Sequence, residues 1–325
     1  MVHLSHRLAA SLATMAIGAA STALAQTYPS KPVHLVVPFA AGGAVDAVGR
    51  LMAQKMGEGW KQTVIVDNRP GAGSIVGADT VAKSAPDGYT MLLASVSHAV
   101  TPSMYRKLPF DPLKDLVAVS QVTASALVLV ASGRQAIATL PALVTAAKQK
   151  PGGINYGSTG VGTAGHLAVE MVNLVSGAGM VHVPYKGDAP LVNALIAGEV
   201  QVGMAPSGSV ISHVQGGRLR ALAITGVKRL PLLPDVPTLP EAGLPGLDLS
   251  SWIGVFAPAG TPQETLARFQ SELARALAAP DVRGRFAEWG FEPVASTPAE
   301  FAARFQTDVA LYARVIREAK IPPQD

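Results

Sequence analysis

The 325-residue sequence contains no cysteine. Thiolate chemistry is therefore excluded, and with no disulfide available the fold must be held by core packing. No run of basic residues is long enough to follow a nucleic-acid backbone, because the 26 Lys and Arg and 22 Asp and Glu are scattered, for a net charge of +4. No G-x-S-x-G nucleophile elbow and no H-E-x-x-H zinc pair occurs. Only one long apolar run is present, at the amino end, and no other reaches membrane-spanning length.

That amino-terminal run reads as a secretory signal peptide over residues 1–25. Arg7 and two histidines form a short basic start, residues 8–24 are apolar or small, and Ala23-Leu24-Ala25 is a small-x-small cleavage pattern before Gln26. Ser, Thr and Gly interrupt the stretch, which is also short for a membrane anchor. The expected mature chain is soluble, exported and about 300 residues long, enough for one large domain or two lobes. Its charge is 25 − 22 = +3 once Arg7 leaves, a weak bias toward anionic ligands. A hydrophobic content of 49% supplies a sizeable core.

Along the mature chain, strand-like runs fall at 33–37, 63–67, 89–94, 117–122, 126–131, 153–157, 180–184, 199–204, 219–225 and 251–257. Helical periodicity appears at 46–59, 74–84, 139–149, 163–175, 188–197, 208–216, 262–278 and 298–319. This alternation predicts an α/β fold with parallel sheets and crossover helices. A proline-rich passage, 228–246, forbids a regular helix; its Leu and Val content predicts an ordered extended segment packed on the protein.

Function is expected in the loops. Pro38 ends the first strand, and Phe39-Ala40-Ala41-Gly42-Gly43 then opens a helix, with Asp46 in its first turn. Glycines let consecutive N–H groups face a ligand, and a helix start adds free N–H groups and partial positive charge, so a carboxylate or phosphate is the natural guest. Asp46 caps the helix or accepts from an amine or hydroxyl. A second such loop, 68–77, places Ser74 as a helix N-cap. A third, 155–171, contains Gly160-Val161-Gly162-Thr163-Ala164-Gly165, a match to G-x-G-x-x-G. Its strand is short and polar and the next acid is Asp188, behind "VPYKG", so the hydroxyls of Ser158, Thr159 and Thr163 read better as a general oxygen-acceptor cradle than as a dinucleotide site. Tyr185 and Lys186 form a ligand contact or a solvated loop, and Ser207 and Ser209 are available hydroxyls or caps. His166 and Glu170 share a helix face at i, i+4, but no third metal ligand is placed. No catalytic constellation emerges, and no cofactor is implied.

The motifs "YPSKPVHLVVPFAAGGAVD", "VIVDNRPGAGSIVGADTVAKSAPDGYTMLLAS", "MVHVPYKGDAP" and "GRLRALAITGVKRLPLLPDVPTLPEAGLPG", in this order over nearly the whole mature chain, closely resemble the Bug family, the extracytoplasmic solute receptors of tripartite tricarboxylate transporters. The resemblance implies a two-lobed periplasmic binding protein fold of Venus-flytrap type, each lobe a mostly parallel sheet flanked by helices, with domain I at 27–125 plus 248–325 and domain II at 126–247. It implies a monomer without turnover that captures a small carboxylic acid between lobes. The acid would pass to membrane permease subunits or, in a sensory variant, to a membrane kinase; an exported hydrolase on the same scaffold is the alternative from another class. Residues matching the family's ligand site are Phe39, Ala40, Ala41, Gly42, Gly43 and Asp46 in the first loop, and Ser158, Thr159, Gly160, Thr163 and His166 in the third. Ser74, Ser97, Tyr185, Ala205 and Ser207 would complete the cleft.

Three positions depart from the family pattern. Val45 stands where Thr or Ser is common, Gly165 where Gln is common, and Ala205 where a polar or acidic residue is common. All three remove polar side chains, which predicts a mono-, aromatic or dicarboxylate guest rather than citrate.

Overall fold

A computed structural model describes residues 28–226, 228–244 and 249–324, so the signal-peptide segment lies outside the described residues. Ten helices and eleven strands follow in the order β1 (Val33–Val37), α1 (Ala44–Trp60), β2 (Val64–Asn68), α2 (Ile75–Ala82), β3 (Thr90–Ser95), α3 (Ser97–Met104), β4 (Leu116–Ser125), β5 (Leu127–Ser132), α4 (Leu140–Gln149), β6 (Asn155–Ser158), α5 (Ala164–Ser176), β7 (Val181–Pro184), α6 (Asp188–Ala197), β8 (Val202–Pro206), α7 (Ser207–Gln215), β9 (Leu219–Ile224), β10 (Ser251–Pro258), α8 (Gln263–Ala278), α9 (Pro280–Glu288), β11 (Glu292–Pro293) and α10 (Pro298–Glu318) among the described residues. A one-turn 3₁₀ helix spans Ala72–Ser74.

Two sheets result, ordered β11-β4-β10-β3-β1-β2 and β7-β6-β8-β5-β9. The chain passes from the first sheet to the second between Ser125 and Leu127; the return toward β10 runs through residues 245–248, which lie outside the described residues. Four pairings are parallel: β1 with β2 and β3, and β6 with β7 and β8. The others are antiparallel, so the sheets are mixed rather than mostly parallel. The physical reason is the crossing itself. β10 pairs antiparallel with both β3 and β4, and β5 pairs antiparallel with both β8 and β9, so the strands flanking the crossing run against those of the βαβ units.

Helix burial follows the periodicity in the sequence. α1 buries Val48, Met52, Ala53 and Met56 on one face, at i, i+4, i+5 and i+8. Gly49 on that face lets α1 approach the sheet: a Cβ there would lie 3.1 Å from Leu93 Cδ2 and 3.2 Å from Val37 Cγ2. α10 starts with a capping box, in which Thr297 and Glu300 satisfy each other's backbone N–H. Aromatic side chains of Trp252, Phe256, Phe301 and Phe305 interlock beneath it, and Trp252 Nε1 donates to the buried Asp308 carboxylate at 2.7 Å. The proline-rich passage is ordered where it is described: Leu233, Leu239 and Leu244 are buried, and Ile224 bridges Thr238.

Candidate functional site

β1, β2, β3, β6, β7 and β8 each lead into a helix, so the loops expected to hold a ligand all lie at carboxyl ends of strands. In open α/β sheets this is where ligands bind, because helix N-termini and irregular backbone are presented there together.

The first loop is built around Asp46. Its carboxylate is 2% exposed and accepts from Gly42 N at 2.8 Å, Arg50 Nε at 2.9 Å and Asn68 Nδ2 at 2.9 Å. The Asn68 amide also donates to Phe39 O at 3.1 Å, which ties both ends of the loop to β2. Burial alone would raise the Asp46 carboxyl, but the hydrogen bonds from Arg50, Gly42 and Asn68 outweigh it and hold it below the ordinary carboxylate value. Asp46 therefore serves as a backward-reaching cap that shapes the loop. Gly42 adopts φ +87°, which a side chain would strain. Ala40 to Ala44 are exposed, and the first intrahelical bond is Ala47 N to Gly43 O. The N–H groups of Ala44, Val45 and Asp46 thus lack intrahelical acceptors.

The second loop is strained. Ser74 is the N-cap of α2 but sits at φ +87° and makes no cap bond. Its hydroxyl is buried and has no hydrogen-bond partner. Strain and an unpaired buried polar group together are costly and concentrate at functional sites. The Tyr105 hydroxyl packs directly against Gly73, leaving no space there for a side chain.

The third loop turns its polar side chains inward. Ser158 Oγ donates to Gly160 O at 3.0 Å and accepts from Gly160 N at 3.2 Å. With that proton committed, the 2.7 Å contact to His182 assigns Nε2–H of His182 as donor. Thr163 Oγ1 donates to Gly160 O at 2.8 Å and accepts from His166 N as the N-cap of α5. His166 Nδ1 accepts from Gly162 N at 3.1 Å, so its proton is on Nε2. The His166 and His182 rings stack at 3.9 Å, with Tyr156 beyond His182 at 4.9 Å. Tyr156 donates to the Glu170 carboxylate, and burial pushes the phenol well above its ordinary value. Burial, with His182 beside it, lowers His166 to about 3, and burial lowers His182 to about 4. Both rings are neutral at pH 7. The expected hydroxyl cradle of Ser158 and Thr163 is therefore spent on holding the loop. What the loop offers outward is backbone, with Val161 exposed and Thr159, Gly160 and Gly162 half-buried.

Two of these loops converge on one helix end that the sequence did not signal. Tyr105 packs on Gly73, and a Cβ on Gly162 would lie 2.8 Å from Met104 Cε. The same α3 begins with Ser97, whose Oγ lies 2.9 Å from Ser95 Oγ. Ser97 and the second and third loops are thus served by a single eight-residue helix. The C-terminal tail fastens its end, with Gln324 N donating to Met104 O at 2.7 Å and Arg106 N to Gln324 O at 3.2 Å.

Three expected residues lie elsewhere. Ala205 is fully buried among Val128, Leu191 and Val210, so its methyl lines core, not cleft. Ser207 Oγ donates to Gly290 O at 3.3 Å, facing β11 of the first sheet. The Tyr185 ring packs toward Gly157 and the same core as Ala205, with its backbone N bonded to Ser158 O. Gly165 also has a packing reason: a Cβ there would lie 2.8 Å from Met204 O, where α5 crosses β8. Of the three departures from the family pattern, only Val45 is partly exposed; Gly165 and Ala205 are buried. Among the described residues no group of three or more His, Asp and Glu is arranged to hold a metal ion; Glu170 accepts from Tyr156 and His166 Nδ1 from Gly162 N.

Comparison with known proteins agrees with this architecture. A family model described as the tripartite tricarboxylate transporter family receptor matches residues 48–321. Protein BugT of Bordetella pertussis is 37% identical over 303 residues, covering 93% of each chain. Rpa4515 of R. palustris, solved with adipate, superposes with a TM-score of 0.79 at 32% identity, covering 91% of this chain and all of that one. MatC (Rpa3494) from Rhodopseudomonas palustris, with bound malate, gives a TM-score of 0.75 at 30% identity over 89% of this chain and 100% of its own.

Proposed function

The chain belongs to the tripartite tricarboxylate transporter receptor family, and from that premise we propose that it captures a small carboxylic acid between its two sheets and releases it unchanged to membrane permease subunits. The observation that carries this reading is the division of labour in the loops. Side chains of Asp46, Asn68, Ser158, Thr163 and His166 are bonded inward, so the outward groups are main-chain amides at the starts of α1 and α5. Amides at helix starts favour an oxyanion over a neutral or cationic ligand. Each charge-assisted hydrogen bond contributes roughly 1.5–3 kcal/mol, and three or four of them reach micromolar affinity, about −8 kcal/mol.

The same division argues against turnover. His166 and His182 are neutral and stacked, Ser158 has its proton on a carbonyl, and neither arrangement leaves a nucleophile beside a free base. Domain I is assigned to 27–125 plus 248–325 and domain II to 126–247, supported by sheet membership on either side of Ser125–Leu127. The signal peptide over 1–25 and a periplasmic location follow from the sequence reading and from the company of binding proteins solved with organic acids. Dicarboxylates such as adipate or malate are expected ahead of citrate, on the strength of the apolar Val45 and of the ligands in the related structures.

A thermal-shift screen of carboxylic acids tests the proposal. A cognate acid at 100 times its Kd stabilises the fold by about 2.7 kcal/mol. No shift with any mono-, di- or aromatic carboxylate, with hydrolysis of ester substrates instead, would overturn it.

A further inference from the structure

Beside the crossing between the sheets lies a groove of about 800 Å³ that none of the glycine-loop residues lines. Its lining includes Ile211 of α7, Leu230 and Leu232 from the head of the proline-rich passage, Pro293 of β11 at the first sheet's edge, and Phe291 just before that strand. Leu232 is 55% exposed, a large apolar side chain held at the groove in contact with water. Three cationic side chains, Lys228, Arg229 and Arg283, reach the groove against one carboxylate, Glu292. Arg229 is bound to Glu241 at 2.8 Å. Lys228 and Arg283 form no ion pair among the described residues.

We propose that this groove is a second binding site, for an amphipathic monoanion. An aliphatic or aromatic carboxylate would lay its apolar body between Leu232, Ile211 and Phe291 and set its head group against Arg283 and Lys228. The volume lies within the range of small-molecule sites, and the pattern of apolar walls with a few convergent polar groups is theirs as well. Charge selects the head: the free cations outnumber the single carboxylate. The proline-rich passage gains a role here. Pro231, with Pro234 just beyond, restricts the backbone that carries Leu230 and Leu232, so an irregular segment can present a stiff wall. The walls come from elements on either side of the Ser125–Leu127 crossing, and any coupling between a molecule in the groove and one at the glycine loops is reciprocal, each shifting the other's affinity by one common factor.

Isothermal titration of decanoate into the mature chain tests this site independently of the glycine loops. The expected result is saturable one-to-one binding that weakens by roughly tenfold or more in Leu232→Glu/Arg283→Glu, since an apolar contact and a charge-assisted bond are both lost. Both positions are exposed, and an unchanged melting temperature checks that the double variant is folded. Arg283→Leu, which keeps apolar surface and removes only the charge, is expected to weaken decanoate by about tenfold as well. Absence of saturable binding, or affinity unchanged in both variants, overturns the proposal; unchanged affinity would place decanoate at the glycine loops instead.

Discussion

Gly162 and Met104 are packed so closely that a Cβ on the glycine would fall 2.8 Å from the methionine Cε. Gly162 belongs to the loop after β6 of the second sheet and Met104 to α3, which follows β3 of the first. The contact therefore joins the two halves of the proposed site. Gly162 also has φ +74°, so alanine there meets a steric and a backbone penalty together. Gly162→Ala is expected to lower stability by about 1–3 kcal/mol, by chemical denaturation. Met104→Ala opens the contact without backbone strain and is expected to weaken carboxylate binding while leaving the loop fold intact. Unchanged affinity in Met104→Ala would show that the contact plays no part in holding the ligand.

Ser74 separates function from stability. Its buried hydroxyl has no partner, so Ser74→Ala is expected to leave stability within about 0.5 kcal/mol of wild type or raise it. If the hydroxyl is kept for the ligand, affinity in Ser74→Ala falls roughly tenfold. A large loss of stability with unchanged affinity would mean that the hydroxyl has a structural partner.

Asp46 organises the first loop through three donors, so Asp46→Asn places an amide where only acceptors fit. The expected cost is roughly 1–3 kcal/mol at pH 7, with a parallel loss of carboxylate affinity. The pH dependence is fixed in sign. The folded carboxyl lies below its ordinary 3.8, so its contribution is fully present above that value and is lost as pH falls through the lower folded one. The stability gap between wild type and Asp46→Asn should therefore close below about pH 4, within reach of denaturant titrations at pH 7, 5 and 3.

Three histidines set the acid limit. His98 is wholly buried, stacks with Phe110 and Phe305 at 6.2 and 5.3 Å, and is lowered by burial to about 4 from 6.5. His166 and His182 are lowered similarly, to about 3 and about 4. Unfolded histidines protonate from pH 6.5 downward while the folded ones stay neutral. Stability is thus whole above 6.5 and declines as pH falls toward the folded values, by up to about 1.4 kcal/mol per pH unit for each. His98→Phe, in a cage that is already aromatic, should flatten that slope between pH 6.5 and 4.5. A slope unaffected by the substitution would mean that His98 titrates normally.

The strands and most helices were legible because they are periodic and bounded by glycine or proline. The ten strand-like runs of the sequence all correspond to strands, and α1, α5 and α10 lie where their apolar spacing places them. α3 was not legible: "SHAVTPSM" has a proline inside the helix and no apolar period, so only tertiary packing makes it helical. Met104 and Tyr105 were missed with it. α9 was hidden by the Ala279-Pro280 break after α8. At the site, glycines and hydroxyls marked the loops correctly as special, but composition does not say which way a hydroxyl points. Ser158 and Thr163 face inward, and Ser207 faces Gly290. One partner was readable, since Arg50 stands four residues after Asp46 on α1.

Main-chain amides at the starts of α1 and α5 can be watched directly. In ¹⁵N–¹H spectra of residues 26–325 titrated with adipate, the largest downfield shifts are expected at Ala44, Val45, Val161 and Ala164, saturating together at both loops. Shifts confined to one loop, or concentrated at residues away from the starts of α1 and α5, would contradict capture of the acid by these amides.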